Sequence, residues 1–336
     1  MTWEGEEVQS KLRMKKGIYS FLLAFLKIGF AVGIFIYLLS SGKVDFQKIR
    51  SALSEAPWIF LSLLAMGVSI VVTSYRWRLL LVSQGISVSF KKILKLVFVG
   101  HFFNIVIPGA VSGDIVKAYY ISKEEKNKFI TTLSVLMDRC VGLGSLLVIV
   151  FFAILFNYSF IQSVPPLKFL GQIVMICFGL FLGALLFFLL KKDFSLSPKW
   201  PLFLRHLFEA FWSYRKCLRV VGQAGFLTLL NFLANVIVYY GAVRALGESS
   251  LPISYFFFLL PLGMFVMVLP IAPAGLGIGQ GVFLKLFEWS YGKPVTVGAD
   301  MVTIVQMMTV CWALVGLGVY IFGIEKVPQD LAYEQS

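Results

Sequence analysis

Pro108-Gly109-Ala110-Val111-Ser112-Gly113-Asp114 and Pro273-Ala274-Gly275-Leu276-Gly277-Ile278-Gly279-Gln280 are two Gly/Pro breaks between apolar stretches of this chain. Each contains G-x-x-x-G followed at once by a polar residue, Asp114 or Gln280. Unwound backbone in hydrocarbon leaves N–H and C=O groups without partners, so it persists only where protein or a water-filled cavity surrounds it. A paired break, one in each half of a membrane protein, points to a binding site near mid-bilayer. The pair predicts a cavity rather than a solid bundle, and raises an internal inverted repeat. Against the repeat stands the ordinary frequency of Gly and Pro in membrane helices.

The surrounding composition requires a membrane. The chain has 336 residues, 59% hydrophobic and only 14% charged, where soluble domains carry about 25% charged residues. No hydrophilic stretch is long enough to fold alone, so a single membrane domain, 1–336, is expected. The net charge of +13 reads as the positive-inside bias plus attraction to anionic headgroups. Nucleic acid is not an expected partner, because the basic residues lack an aromatic-interleaved surface. Cys140, Cys177, Cys217 and Cys311 form no C-x-x-C, and the two histidines, His101 and His206, stand far apart. No disulfide framework, metal or cofactor is expected.

The architecture predicted is an all-α polytopic transmembrane bundle of about seven to nine hydrophobic helices. Spans are expected at 18–40, 58–75, 133–156, 167–190, 222–243, 255–271 and 299–322. Stretches 93–117 and 273–290 read as re-entrant or broken helices. Stretch 202–220 reads as a basic amphipathic helix lying on the headgroup layer, the alternative being a solvated connector. Most Lys and Arg cluster at the N-terminus, 76–95, 117–128 and 191–219, which assigns those segments to the cytoplasm. The N-terminus is then cytoplasmic, in a cytoplasmic (inner) membrane, and 93–117 enters and leaves by one face. The C-terminal side stays open.

Asp114 and Lys117 fall in the first turns of a helix starting near Ser112. Unpaired N–H groups and the helix dipole favour an anion there, and Lys117 adds charge. Asp114 reads either as an orienting acid or as an ordinary first-turn residue. Asp138 and Arg139 are adjacent, so they point about 100° apart on a helix. Arg139 suits bidentate phosphate contact, the alternative being an interfacial anchor. Arg76 and Arg78, flanking Trp77, read as interfacial anchors. Asn231 and Asn235, one turn apart, read as interhelical hydrogen-bonding groups that also could face a cavity. Asn104 is similar, with the break close by.

These residues resemble the flippase-like family named for the transmembrane region of lysylphosphatidylglycerol synthase. The resemblance lies in Arg76-Trp77-Arg78-Leu79-Leu80, in Phe102-Phe103-Asn104 through Pro108-Gly109 to Ser112-Gly113-Asp114-Ile115-Val116-Lys117, in Arg139, and in Pro273 to Gln280. Three positions depart from the family's pattern: Ser112 replaces a glycine, Lys117 an arginine and Gln280 an acid. The resemblance implies substrate contact by Asn104, Pro108, Gly109, Gly113, Asp114, Lys117, Arg139, Gly275, Gly277 and Gln280, with Arg76, Arg78, Asn231 and Asn235 secondary. Fused members carry a soluble aminoacyl-transferase domain for which this chain has no matching stretch, so the membrane module alone is expected.

The function expected is movement of an anionic or amino-modified phospholipid or polyprenyl lipid between leaflets, with membrane lipids as partners and a separate lipid-modifying enzyme as a further candidate partner. No metal helix, P-loop or nucleophile elbow is visible, and acid–base groups are few. A lipid-headgroup-modifying enzyme or accessory subunit, and a non-transporting scaffold, are the alternatives.

Overall fold

A computed structural model describes residues 46–107, 112–123, 128–191, 201–267 and 277–323. Among them are twelve α-helices and no strands: α1 Phe46–Ser54, α2 Ala56–Ser83, α3 Phe90–Val106, α4 Ser112–Ser122, α5 Lys128–Phe156, α6 Tyr158–Ser163, α7 Pro165–Leu190, α8 Leu202–Ser213, α9 Leu218–Ala245, α10 Phe256–Met267, α11 Ile278–Tyr291 and α12 Val297–Phe322. Five helical stretches, Ala56–Ser83, Ile130–Phe156, Pro165–Leu190, Phe211–Ala245 and Val297–Phe322, are long and apolar enough to cross a membrane. Large apolar side chains stand on the outside, Leu180 at 71% and Phe60 at 67% exposure. Lipid is the solvent that makes such a surface stable.

The expected span 18–40 lies outside the described residues. The expected spans 133–156, 167–190, 222–243 and 299–322 fall within α5, α7, α9 and α12. Stretch 58–75 is only the first part of α2, which runs on to Ser83. The reason is that Arg76 is buried in an ion pair and does not mark the interface. Within 255–271, the helix described is α10, Phe256–Met267, and 268–271 lie outside the described residues. Stretch 202–220 divides into α8, a 3-10 turn at Tyr214–Cys217 and the start of α9. Tyr214 is fully buried, with its hydroxyl 3.4 Å from the Leu80 carbonyl, which anchors the turn. Trp212 on α8 packs against Phe188 of α7 with ring centroids 5.1 Å apart.

Helices α2 and α9 form the most extensive packing of the bundle. Gly241 on α9 makes this possible, because a Cβ there would run into Ser62 of α2. Ser62 Oγ donates to the Val238 carbonyl at 3.1 Å, so the hydroxyl has a buried partner. Around this pair, α3 packs on α12 and α5 on α10. α3 and α4 form a hairpin whose arms touch at Gly100 and Gly113; a Cβ on Gly113 would collide with the Gly100 carbonyl.

α12 meets α3 in the same way. A Cβ on Gly316 would overlap the Phe98 carbonyl, while one on Gly318 would meet nothing within 4 Å. Gly316→Ala is therefore expected to lower stability by about 1–3 kcal/mol through overpacking, and Gly318→Ala to leave it unchanged. Thermal unfolding of the two purified variants in detergent checks the contrast.

Candidate functional site

Two ionic clusters stand side by side in the first half of the bundle. In one, Arg76 of α2 forks onto Asp138 of α5, with Nε 2.7 Å from Oδ1 and Nη2 2.9 Å from Oδ2. Its Nη1 donates to Thr228 Oγ1 of α9 at 2.9 Å, and the Thr228 hydroxyl donates to the Ala224 carbonyl at 2.9 Å. Gly142 lies beside the guanidinium, where a Cβ would make ordinary contact with Nη1 at 3.5 Å. Both side chains of the pair are about nine-tenths buried, at 9% and 10% exposure. Arg76 is thus a strut between three helices rather than an interfacial anchor.

In the other cluster, Asp114 in the first turn of α4 accepts from two cations. Lys117 Nζ, one turn on, lies 2.5 Å from Oδ1, and Arg139 Nε of α5 donates to Oδ2. Lys117 Nζ also sits 5.1 Å from the Trp77 ring centroid, a cation–π contact. Arg139 is the most exposed member, at 39% against 10% for Asp114 and 12% for Lys117. Asn104 of α3 caps the start of α4: its Oδ1 accepts from Gly113 N at 2.8 Å and Ser112 Oγ at 3.3 Å. The Gly113 N–H expected to hold an anion therefore already has a partner in the same chain.

The clusters share one cavity of about 350 Å3, lined by Arg76, Asn104, Asp114, Lys117, Arg139 and Asn231 among others. Among the described lining residues three cations face two carboxylates, counting Asp138, so the ionised set leaves one net positive charge. Asn231 lines the cavity and also bonds between helices, its Oδ1 accepting from Ser69 Oγ at 2.5 Å. Asn235, also at the lining, donates to the Asn231 carbonyl at 2.8 Å. Thr73, His101 and Thr228 complete the polar wall. None of the three carries a motif, and only the packing of α2, α3 and α9 brings them here.

The remaining candidates lie elsewhere. Arg78 Nε donates to the Val88 carbonyl at 2.9 Å and closes the α2–α3 connection. Gly277 sits at φ +77° ahead of α11, a conformation that favours glycine. Gln280 is fully buried. Its Oε1 accepts from Gly277 N at 2.8 Å, and its Nε2 donates to Gln306 Oε1 at 2.6 Å. Neither Gly277 nor Gln280 is among the side chains lining the cavity. Pro108, Gly109 and Gly275 lie outside the described residues. Among the described residues, no group of three or more His, Cys, Asp or Glu could hold a metal ion.

The sequence pattern of the lysylphosphatidylglycerol synthase TM region family matches residues 24–318, which include both ionic clusters and both breaks. The chain belongs to that family. It is also similar to UPF0104 membrane protein PH1989 of Pyrococcus horikoshii, 29% identical over 147 residues, or 43% of each chain. The match thus spans less than half the length of that curated relative. The Asp114 cluster and the Arg76–Asp138 strut both line the cavity.

Removing one partner of a buried ion pair strands the other, at about 3–5 kcal/mol. Arg76→Ala and Asp138→Ala are each expected to destabilise by that order, and the double variant by clearly less than their sum. A double-mutant cycle of unfolding in detergent measures the coupling.

Proposed function

We propose that this protein moves an anionic or amino-modified lipid between the leaflets of the cytoplasmic membrane, its headgroup passing through the polar cavity while the tails stay in apolar surroundings. The observation that carries this reading is the net positive cavity enclosed by helices that are otherwise apolar. A bare charged headgroup in hydrocarbon costs several kcal/mol or more. Arg139 is the cation best placed to meet a phosphate, because it is partly exposed and its planar fork matches phosphate oxygens. Lys117 supplies a second charge, and Asp114 holds both cations in place when the cavity lacks an anion. Asp114 would also accept from the amine of an amino-modified headgroup, which the family's name brings to mind.

The reading includes two re-entrant hairpins. α3 and α4 have 17 and 11 residues, about 26 and 17 Å at 1.5 Å per residue, both short of the roughly 30 Å hydrocarbon core. α11 has 14 residues and is short in the same way. The packing of α3 on α12 and of α10 on α5 is reciprocal. It supports reading α2–α5 and α9–α12 as two copies of one unit, related as an inverted repeat. The basic segments support a cytoplasmic N-terminus and a cytoplasmic mouth for the first hairpin. A separate enzyme would supply the modified lipid.

The test is leaflet translocation of fluorescent phosphatidylglycerol in vesicles holding the purified protein. Protein-dependent translocation is expected, reduced roughly tenfold or more by Arg139→Ala and by Asp114→Asn, a loss of about 1.4 kcal/mol per decade. Thermal melts of both variants control for folding. Headgroup turnover without translocation, or neither activity, would overturn the reading.

A further inference from the structure

A second cavity, of about 660 Å3, adjoins the polar one on another face of α5. It lies between α5, α7 and α9, with Phe211 at the end of α8 and Phe265 of α10 completing its wall. Among the described residues, no charged side chain lines it and Ser145 carries the only hydroxyl. Its size is within the roughly 300–1,000 Å3 of small-molecule sites, yet nothing in its lining recognises a polar ligand. Open apolar space of this extent leaves its walls without dispersion partners, so an apolar occupant is stabilising.

The two cavities are contiguous on three elements. Leu143 and Leu146 of α5 line both. On α9, Gly225 lines the apolar chamber and Thr228 the polar cavity; three residues apart, they share a face and differ by about 4.5 Å along the axis. On α10, Met264 lines the polar cavity and its neighbour Phe265 the chamber. Small residues keep the space open. Gly144 lets the Phe181 ring lie against α5, since a Cβ there would come within 2.8 Å of the ring. A Cβ on Gly225 would meet nothing nearer than Ser145 Oγ at 3.8 Å. Leu143 and Leu185, 46% and 37% exposed, mark an opening to the surface of the bundle.

We infer that this chamber holds one hydrocarbon chain of the lipid molecule whose headgroup occupies the polar cavity. The inference rests on the lipid-translocation reading and adds a site for the tail. Contiguity selects this occupant over other apolar ones. A chain tethered to a headgroup bound next door is held at high effective concentration beside the chamber, whereas an unrelated lipid gains nothing from the charges. Recognition would then require both parts of an amphiphile at once.

The test places the full chain in phosphatidylcholine vesicles carrying phosphatidylglycerol with a mid-chain diazirine, and in parallel a diacylglycerol bearing the same chain. Illumination should label segments 137–148 and 221–225 roughly tenfold more with the phosphatidylglycerol probe. Arg139→Ala should erase that preference. Gly225→Phe, and Ser145→Leu from the opposite wall, should abolish chamber labelling while glycerol 3-phosphate binding, measured by calorimetry in detergent, is retained. Equal labelling by both probes, or labelling indifferent to Arg139→Ala, would mean ordinary surrounding lipid and overturn the tail site alone if glycerol 3-phosphate still binds. Absence of both glycerol 3-phosphate binding and phosphatidylglycerol labelling would overturn the lipid reading together with it.

Discussion

A charge inside hydrocarbon must be paired where it stands, and Arg76 meets that requirement with Asp138 and Thr228. The desolvation of each ion is several kcal/mol even after relaxation. All three donor contacts must therefore hold together, and they tie α2, α5 and α9 to one register. A slip of α2 by one turn, about 5.4 Å, would separate every atom of the fork from its partner. The long α2–α9 contact, with Ser62 fitted against Gly241, depends on the same register. So does the polar cavity, because α2, α5 and α9 each supply part of its wall.

The second cluster has the opposite character. Arg76 presents two nitrogens to two oxygens of one carboxylate. Asp114 instead divides its oxygens between Lys117 and Arg139. A carboxylate shared by two cations can yield one of them to an incoming phosphate and still be paired by the other. The exchange keeps every ion compensated, which is what a headgroup needs in order to enter a low-dielectric space and leave again. Exposure follows the same division: the strut is closed off, and Arg139 keeps more than a third of its side chain accessible.

Much of this could be read in the residues. Five of the apolar runs lie inside long helices of the bundle, and the first Gly/Pro break separates the two arms of a glycine-contacted hairpin. The argument that adjacent Asp138 and Arg139 point about 100° apart has a direct counterpart: Asp138 joins the strut and Arg139 the Asp114 cluster. Arg76 reads as an interfacial anchor because of its sequence neighbourhood, beside Trp77 and Arg78, yet it is buried in the strut. Its partner lies 62 residues away, and no local pattern encodes that. Thr228 and His101 were invisible for the same reason. Stretch 202–220 looked continuous because amphipathic spacing survives a 3-10 turn; the break comes from Tyr214, whose ring is buried under α2.

The two breaks resemble each other in spelling and differ in physics. At the first, a carboxylate is held by two cations at the edge of a cavity. At the second, Gln280 is fully buried and reaches back to the Gly277 N–H, with Gln306 and Thr303 beyond it. An acid at 280 could still accept from Gly277, but it has no N–H to offer Gln306. It would also bring a charge to a place where the described partners are amides and a hydroxyl. The amide avoids that desolvation and caps α11 at Gly277. The cavity's charge is therefore concentrated in the first half, and the second half contributes neutral groups: Thr228, Asn231 and Asn235 of α9 to the polar cavity, and Met264 and Phe265 of α10 to the polar cavity and the apolar chamber in turn.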